Sequence, residues 1–380
     1  MKKSLIALAF GTLGLGIAEF VMMGILPDVA KDLGVSIPTA GHFISAYALG
    51  VCAGAPVLTL ARKYPLKQIL LALVALIIVG NLCAALAPSY WVLLAARFIS
   101  GLPHGAYFGV GSIVAEKLAD KGKGSEAISI MIAGMTIANL FGIPLGTSLS
   151  TLISWRITFL TVGIGGILIM YYIWRWVPQV EGLPDTGFKG QFRFLKTPAP
   201  WLILGATALG NGGVFCWYSY INPMLTHVSG FSAESITPLM ILAGFSMVMG
   251  NLISGRLSDQ FTPAKVGTVS QALICIVLLQ LFFFSSHPWA AALLMSLCTA
   301  GLFAVSSPEQ LLIIRVAKGG EMLGAACVQV AFNLGNAVGA YVGGLTVGCG
   351  YQYPALAGVP FALVGFLLFF IFYKKYQCRY

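Results

Sequence analysis

Long apolar runs separated by short polar segments dominate this chain, and twelve of them are long enough to cross a bilayer. A spanning helix needs about 20 mostly apolar residues. The runs fall at 4–26, 40–60, 68–88, 91–115, 125–150, 156–177, 200–225, 235–256, 265–285, 288–312, 322–349 and 354–373. Pro, Gly and charge collect between them, as turns require. The pattern predicts an all-α membrane protein with twelve transmembrane helices.

The pattern also repeats. Run five carries Gly134, Ala138, Gly142 and Gly146, and run eleven carries Ala331, Gly335, Gly339 and Gly343, an offset of 197 that Asn139 and Asn336 keep. Ala46, Gly50 and Gly54 of run two answer Ser246, Gly250 and Ser254 of run eight at an offset of 200, and Gly101 of run four answers Gly301 at the same offset. A nearly constant offset in constant order is the mark of a duplicated unit. It predicts two pseudo-symmetric six-helix bundles, residues 1–177 and 200–380, with residues 178–199 as linker. Small residues every fourth position let helix backbones approach closely in lipid. They are read either as ordinary helix packing or as sliding contacts between halves.

Composition supports the membrane reading. Of 380 residues, 58% are hydrophobic and 9% charged, with a mean hydropathy of +0.90. A soluble domain is nearer one-quarter charged. The net charge of +10, which in a soluble chain would suggest nucleic acid, instead follows topology. With the N-terminus inside, 19 of 22 Lys and Arg fall on cytoplasmic segments, from Lys2 and Lys3 to Lys375 and Arg379. Lys31 and Arg156 fall outside and Arg97 within the membrane. Positive charge stays on the cytoplasmic side, so both termini are expected there. The start Met1-Lys2-Lys3 before an apolar run has the layout of a signal peptide. The run, however, is long, lacks a small-x-small cleavage site and leads directly into further spans. Lys189, Arg193 and Lys196 of the linker form a solvated face or rest on anionic headgroups.

Several function classes drop out. The eight Cys are scattered singly, so no disulfide framework, metal site or cofactor is implied. No phosphate-binding GxxxxGK[ST] motif occurs, so energy must come from a gradient. No nucleophile–base pair suggests an enzyme, and no repeated filter or charged ring suggests a channel.

Three motifs carry a resemblance. Arg97-Phe-Ile-Ser-Gly101-Leu-Pro-His104-Gly-Ala sits in run four, Gly142-Ile-Pro144-Leu-Gly146 in run five, and Gly255-Arg256-Leu-Ser-Asp259 after run eight. Together with IAEFVMMGILP, SWRITFL and AFNLGNAVGAYVGG, they resemble the major facilitator superfamily. Within it they are similar to the drug/proton antiporter branch and its arabinose-associated efflux permeases, over essentially the full length. The resemblance implies alternating access around a midplane site, proton-driven efflux of a small organic solute, a bacterial inner-membrane location and a single working chain in contact with membrane lipid. The solute would be a sugar, an arabinose-related compound or an amphipathic drug-like molecule. The alternatives are proton symport, facilitated uptake, or a sensor with a transporter fold. One departure stands out: Ala61 occupies the first-half position that matches Asp259. A gate latch is therefore assigned to Arg256 and Asp259, and Arg62, Lys63 and Lys67 are left to headgroups.

The embedded charges carry the site prediction. At a bilayer centre each costs about 2.5–3.5 kcal/mol on insertion scales. Glu19 lies eight residues from the end of run one at Pro27, about 12 Å deep at 1.5 Å per residue, and Arg97 about 9 Å below the same edge. In the resembled fold both runs line one cavity, so a Glu19–Arg97 contact is expected, as a proton-coupling pair or a static ion pair. The cavity candidates are Tyr47, His104, Phe108, Asn211, Trp217, Tyr220, Gln329 and Asn333, an aromatic and polar set suited to an organic solute. Gly142, Pro144 and Gly146 are expected to kink run five. Glu309 is read as an interfacial charge that reaches water. Trp91, Trp155, Trp174, Trp176 and Trp289 are read as aromatic belts.

Overall fold

Twelve helical segments in chain order account for the runs in the computed structural model, which describes residues 2–184 and 186–376. They are α1 (Lys2–Asp32), α2 (His42–Val57), α3 (Leu66–Ala85), α4 (Tyr90–Lys117), α5 (Gly124–Ile137, continued by Ala138–Gly142 and Ile143–Leu152), α6 (Trp155–Trp176), α7 (Pro198–Tyr218), α8 (Ala233–Gln260), α9 (Pro263–Phe284), α10 (Pro288–Ala304, resumed as Ser306–Val316), α11 (Glu321–Thr346) and α12 (Tyr353–Tyr376). Among the described residues, eleven helices are both long and apolar enough to cross a membrane. The remaining one, α4, is 28 residues long, about 42 Å at 1.5 Å per residue. Arg97, Pro103 and His104 lower its hydropathy. Arg379, counted in the charge asymmetry, lies outside the described residues.

The chain divides into two compact units. Unit 1 comprises Met1–Asp120, Ile130–Arg193 and Gly319–Val330; unit 2 comprises Lys121–Ser129, Phe194–Lys318 and Ala331–Tyr380. The internal packing of each echoes the other. In unit 1, α2 packs on α4, α3 on α6 and α1 on α6; in unit 2, α8 packs on α10, α9 on α12 and α7 on α12.

The small-residue stripes make these packings possible. A side chain at Gly50 or Gly54 would strike backbone atoms of Phe98, Gly101 and Leu102 on α4, and one at Gly250 would strike Ala300 on α10. Gly134, Gly142 and Gly146 of α5 face Ala9, Ile17 and Val21 of α1, while Gly335, Gly339 and Gly343 of α11 face Ala208, Gly212 and Cys216 of α7. These stripes therefore press helices together within a unit, because only a missing Cβ lets two backbones meet. Pro144 sits just past a π turn over Ala138–Gly142. Proline has no N–H to give the carbonyl four residues back, so the ladder shifts register there.

Residues 178–199 are not a bare solvated stretch. They hold short helices at Gly187–Gln191 and Arg193–Lys196, and Gln191 is buried with its amide on the Thr59 carbonyl, 2.9 Å. The belt reading also needs correction. Trp91 and Trp289 are exposed, but Trp155 is 3% exposed and gives its indole N–H to Asp32 at 3.2 Å.

Candidate functional site

Side chains from α2 and α4 grip carbonyls of α1, and this fixes where Glu19 stands. Tyr107 of α4 donates to Leu8 O at 3.1 Å. Tyr47 of α2 lies 3.4 Å from Leu15 O. Arg97 Nη1 of α4 donates to Ala18 O at 2.7 Å. In the other direction, the Thr12 hydroxyl of α1 reaches Met131 O of α5 at 2.5 Å. Each of these groups bonds a carbonyl that lipid could not satisfy. Beyond Glu19, Val21, Met22 and Ile25 enter a dry cluster with Phe43, Leu93 and Phe159.

Glu19 is 8% exposed and Arg97 fully buried, yet the ion pairs among the described residues do not include the expected one between them. Arg97 instead bonds the carbonyl next to Glu19 and stacks its guanidinium on Tyr47, 4.5 Å from the ring centre, with Phe159 at 5.5 Å. A planar, weakly hydrated guanidinium suits such stacking. The side chain facing Glu19 is His104, whose Nε2 stands 3.7 Å from Glu19 Oε2. Its Nδ1 is 2.9 Å from the Tyr47 hydroxyl, its ring stacks on Phe108 at 5.3 Å, and Gln329 lies beside it. Glu19 Oε2, His104 Nε2 and Arg97 Nη2 are buried without a hydrogen-bond partner. Buried polar groups are normally satisfied, so three open ones in one place need an explanation.

Six of the predicted residues, Glu19, Tyr47, Arg97, His104, Phe108 and Gln329, thus come together inside unit 1. Asn211, Trp217, Tyr220 and Asn333 belong to unit 2. There Trp217 is fully buried with its N–H on Met224 Sδ at 2.9 Å, Tyr220 donates to Ala340 O at 2.9 Å, and Asn211 is buried with Oδ1 unpartnered. The Glu19–His104 juxtaposition was not among the expected contacts, although the sequence carries a signal for it. Arg97, Gly101, His104 and Phe108 recur at helical spacing on one face of α4, and the glycine is what lets that face reach α2. A groove of about 560 Å³ between α8, α9 and α10, lined by Phe245, Met249, Val269 and Leu273, takes none of these residues. Its walls are exposed and apolar.

Two charged contacts lie at helix ends. Asp259 accepts the backbone N–H of Ser125 at 2.9 Å and of Glu126 at 2.7 Å, and Arg256 pairs with Glu126 at 3.2 Å. A carboxylate on the first amides of α5 meets the positive end of that helix. In unit 1 Ala61 leaves no carboxylate at the matching position. Arg62, expected at headgroups, is instead 3% exposed, pairs with Glu321 at 2.8 Å and donates to Pro184 O at 2.7 Å. Glu309 also departs from expectation. It is 1% exposed, because α10 packs it against α7 and α9.

The sequence model of the Major Facilitator Superfamily matches residues 8–326. An Escherichia coli K12 protein named "Putative transporter AraJ" is 49% identical, covering 99% of this chain and 97% of its own. A Helicobacter pylori P12 protein named "Probable sugar efflux transporter" is 28% identical over 98% of this chain and 94% of its own. A crystal structure of the E. coli fucose:proton symporter FucP superposes with a TM-score of 0.74 at 14% identity, covering 97% and 98% of the two chains.

Proposed function

We propose, from the premise that this chain belongs to the Major Facilitator Superfamily, that it is a proton-driven exporter of a small organic solute. A multi-pass membrane transporter of this family moves solutes and does not transform them. The observation that carries the finer reading is the Tyr47–His104–Glu19 line, with spacings of 2.9 and 3.7 Å. Each imidazole nitrogen donates or accepts according to tautomer, so His104 can pass a proton between the tyrosine side and Glu19 when the 3.7 Å gap closes to hydrogen-bonding distance or a water bridges it. Glu19 is the group that takes up and releases the coupled proton. Arg97 is a positioning residue: on Ala18 O it fixes α1 beside Glu19.

The wider reading follows. The six-helix halves, 1–177 and 200–380, are the bodies that alternate access, and both termini face the cytoplasm across a bacterial inner membrane. Aromatic and polar side chains around the site suit a sugar or an amphipathic molecule. The name of the H. pylori relative supports export, and sugars as the first class to test.

The test is a solute panel headed by arabinose, offered to liposomes holding the purified protein. Antiport predicts accumulation when the vesicle interior is acidic, abolished by a protonophore. Accumulation only with an alkaline interior establishes symport, and binding without movement establishes a sensor. Either result overturns export.

A further inference from the structure

We infer that Glu309 in unit 2 is a second proton-binding carboxyl group, separate from Glu19. The inference deepens the proton-coupled reading and rests on it, but its chemistry stands on the local geometry. Glu309 lies in the first turn after α10 is interrupted at Val305. Pro308 has no N–H for the Ala304 carbonyl, so this is where the helix is weakest. The carboxyl is 1% exposed, and its Oε1 is buried without a hydrogen-bond partner.

A polar neighbour is the Thr207 hydroxyl on α7. That hydroxyl already donates to Ile203 O at 3.0 Å. A threonine has one O–H to give, so it cannot serve Ile203 O and Glu309 at once. One turn on along α7, Asn211 keeps a buried, unpartnered Oδ1, another acceptor. Gln271 of α9, whose amide lies against Gly210, adds a third buried polar group. These groups are polar but uncharged, so none of them is a counter-ion for Glu309.

The charged groups on the helices around it are engaged elsewhere. On α8, Arg256 pairs with Glu126 and Asp259 takes the amides of Ser125 and Glu126. Arg315, six residues on, acts on Asp259. Lys265 of α9 is exposed and stacks on Phe261 at 4.9 Å. Tyr218, Cys216, Cys275 and Cys298 are further titratable side chains on these helices. Among the described residues no ion pair includes Glu309. An unpaired carboxylate so placed is costly, and a proton bound to one carboxyl oxygen removes that cost.

The experiment is infrared difference spectroscopy of the full-length protein in nanodiscs across a pH jump. The wild type is expected to show the carbonyl stretch of protonated carboxyls that titrate. Part of that band is lost in Glu309→Gln and persists in Glu19→Gln. Gln copies the neutral acid in shape, so the variant keeps its fold. Thr207→Val, which removes the neighbouring hydroxyl, shifts the frequency of the same band and serves if Glu309→Gln does not express. Identical spectra for wild type and Glu309→Gln, or a Glu309 band that never titrates, overturn the inference. Neither result touches Glu19, whose coupling is read separately from solute flux.

Discussion

His104 rather than Arg97 faces Glu19, and the distinction changes what substitutions should do. Arg97 makes one short hydrogen bond, to Ala18 O, and stacks on Tyr47. Burying an ion that lacks a direct counter-ion is expensive, and an apolar residue of similar volume is often tolerated or stabilising. Arg97→Met is therefore expected to keep the wild-type melting temperature in detergent and lose gradient-driven transport; a collapse in melting temperature marks Arg97 as structural instead. His104→Gln keeps a polar group but no ring to pass a proton. It should reduce net proton-linked flux by at least about tenfold, a 1.4 kcal/mol effect, measured by pyranine quenching inside vesicles. The embedded charges and the α4 motif were legible in the sequence because charge in an apolar run is conspicuous. Their pairing was not legible. Depth along two helices fixes height, whereas rotation about each axis decides which side chains meet. The burial of Glu309 was missed for the same reason: an acid near a helix end reads as interfacial until neighbouring helices are seen to cover it.

At the level of elements, glycines decide how near the helices come, and hence where the site residues stand. A Cβ at Gly101 would meet the backbone of Tyr47 and Gly50. Gly101→Ala is expected to cost about 1–3 kcal/mol, as overpacking does, and to push Tyr47 off Arg97 and His104. Lower thermal stability together with reduced transport checks this; full activity would show that the α2–α4 approach is not needed. Asp259 holds the first amides of α5. Losing such a cap costs about 1 kcal/mol, so in Asp259→Ala the Ser125 and Glu126 amides should exchange hydrogen roughly five times faster. Unchanged protection would contradict the capping role. The glycine stripes were visible in the sequence, but their partners were not: period four names a face without naming the helix opposite. The structure shows each stripe closing a pair inside one unit, α5 on α1 and α11 on α7.

For the whole molecule, duplication explains the repeated packing pairs, while the chemistry is unequal. Unit 1 holds Glu19, His104 and Arg97. Unit 2 places Leu297, half exposed, at the offset that answers Arg97, and keeps its acid at Glu309. Arg62–Glu321 stands where Ala61 has removed the acid that unit 2 retains as Asp259. If that pair is a latch in the transport cycle, Arg62→Glu alone should slow transport, and Arg62→Glu with Glu321→Arg should restore much of it, as coupled partners do. Failure of the swap to rescue would leave the pair without a role in the cycle. Length, hydropathy and the offset near 197–200 made the twelve helices and the duplication readable, because bilayer thickness imposes the first two and gene duplication leaves the third. Solute and direction leave no such imprint, since one fold carries many functions.

Whether Glu19 carries the coupled proton is decided by Glu19→Gln in liposomes. Two rates are compared once a transported solute is in hand: exchange of labelled for unlabelled solute at equal pH, and accumulation driven by a pH gradient. The variant is expected to keep exchange and lose gradient-driven accumulation. Accumulation equal to wild type would contradict it.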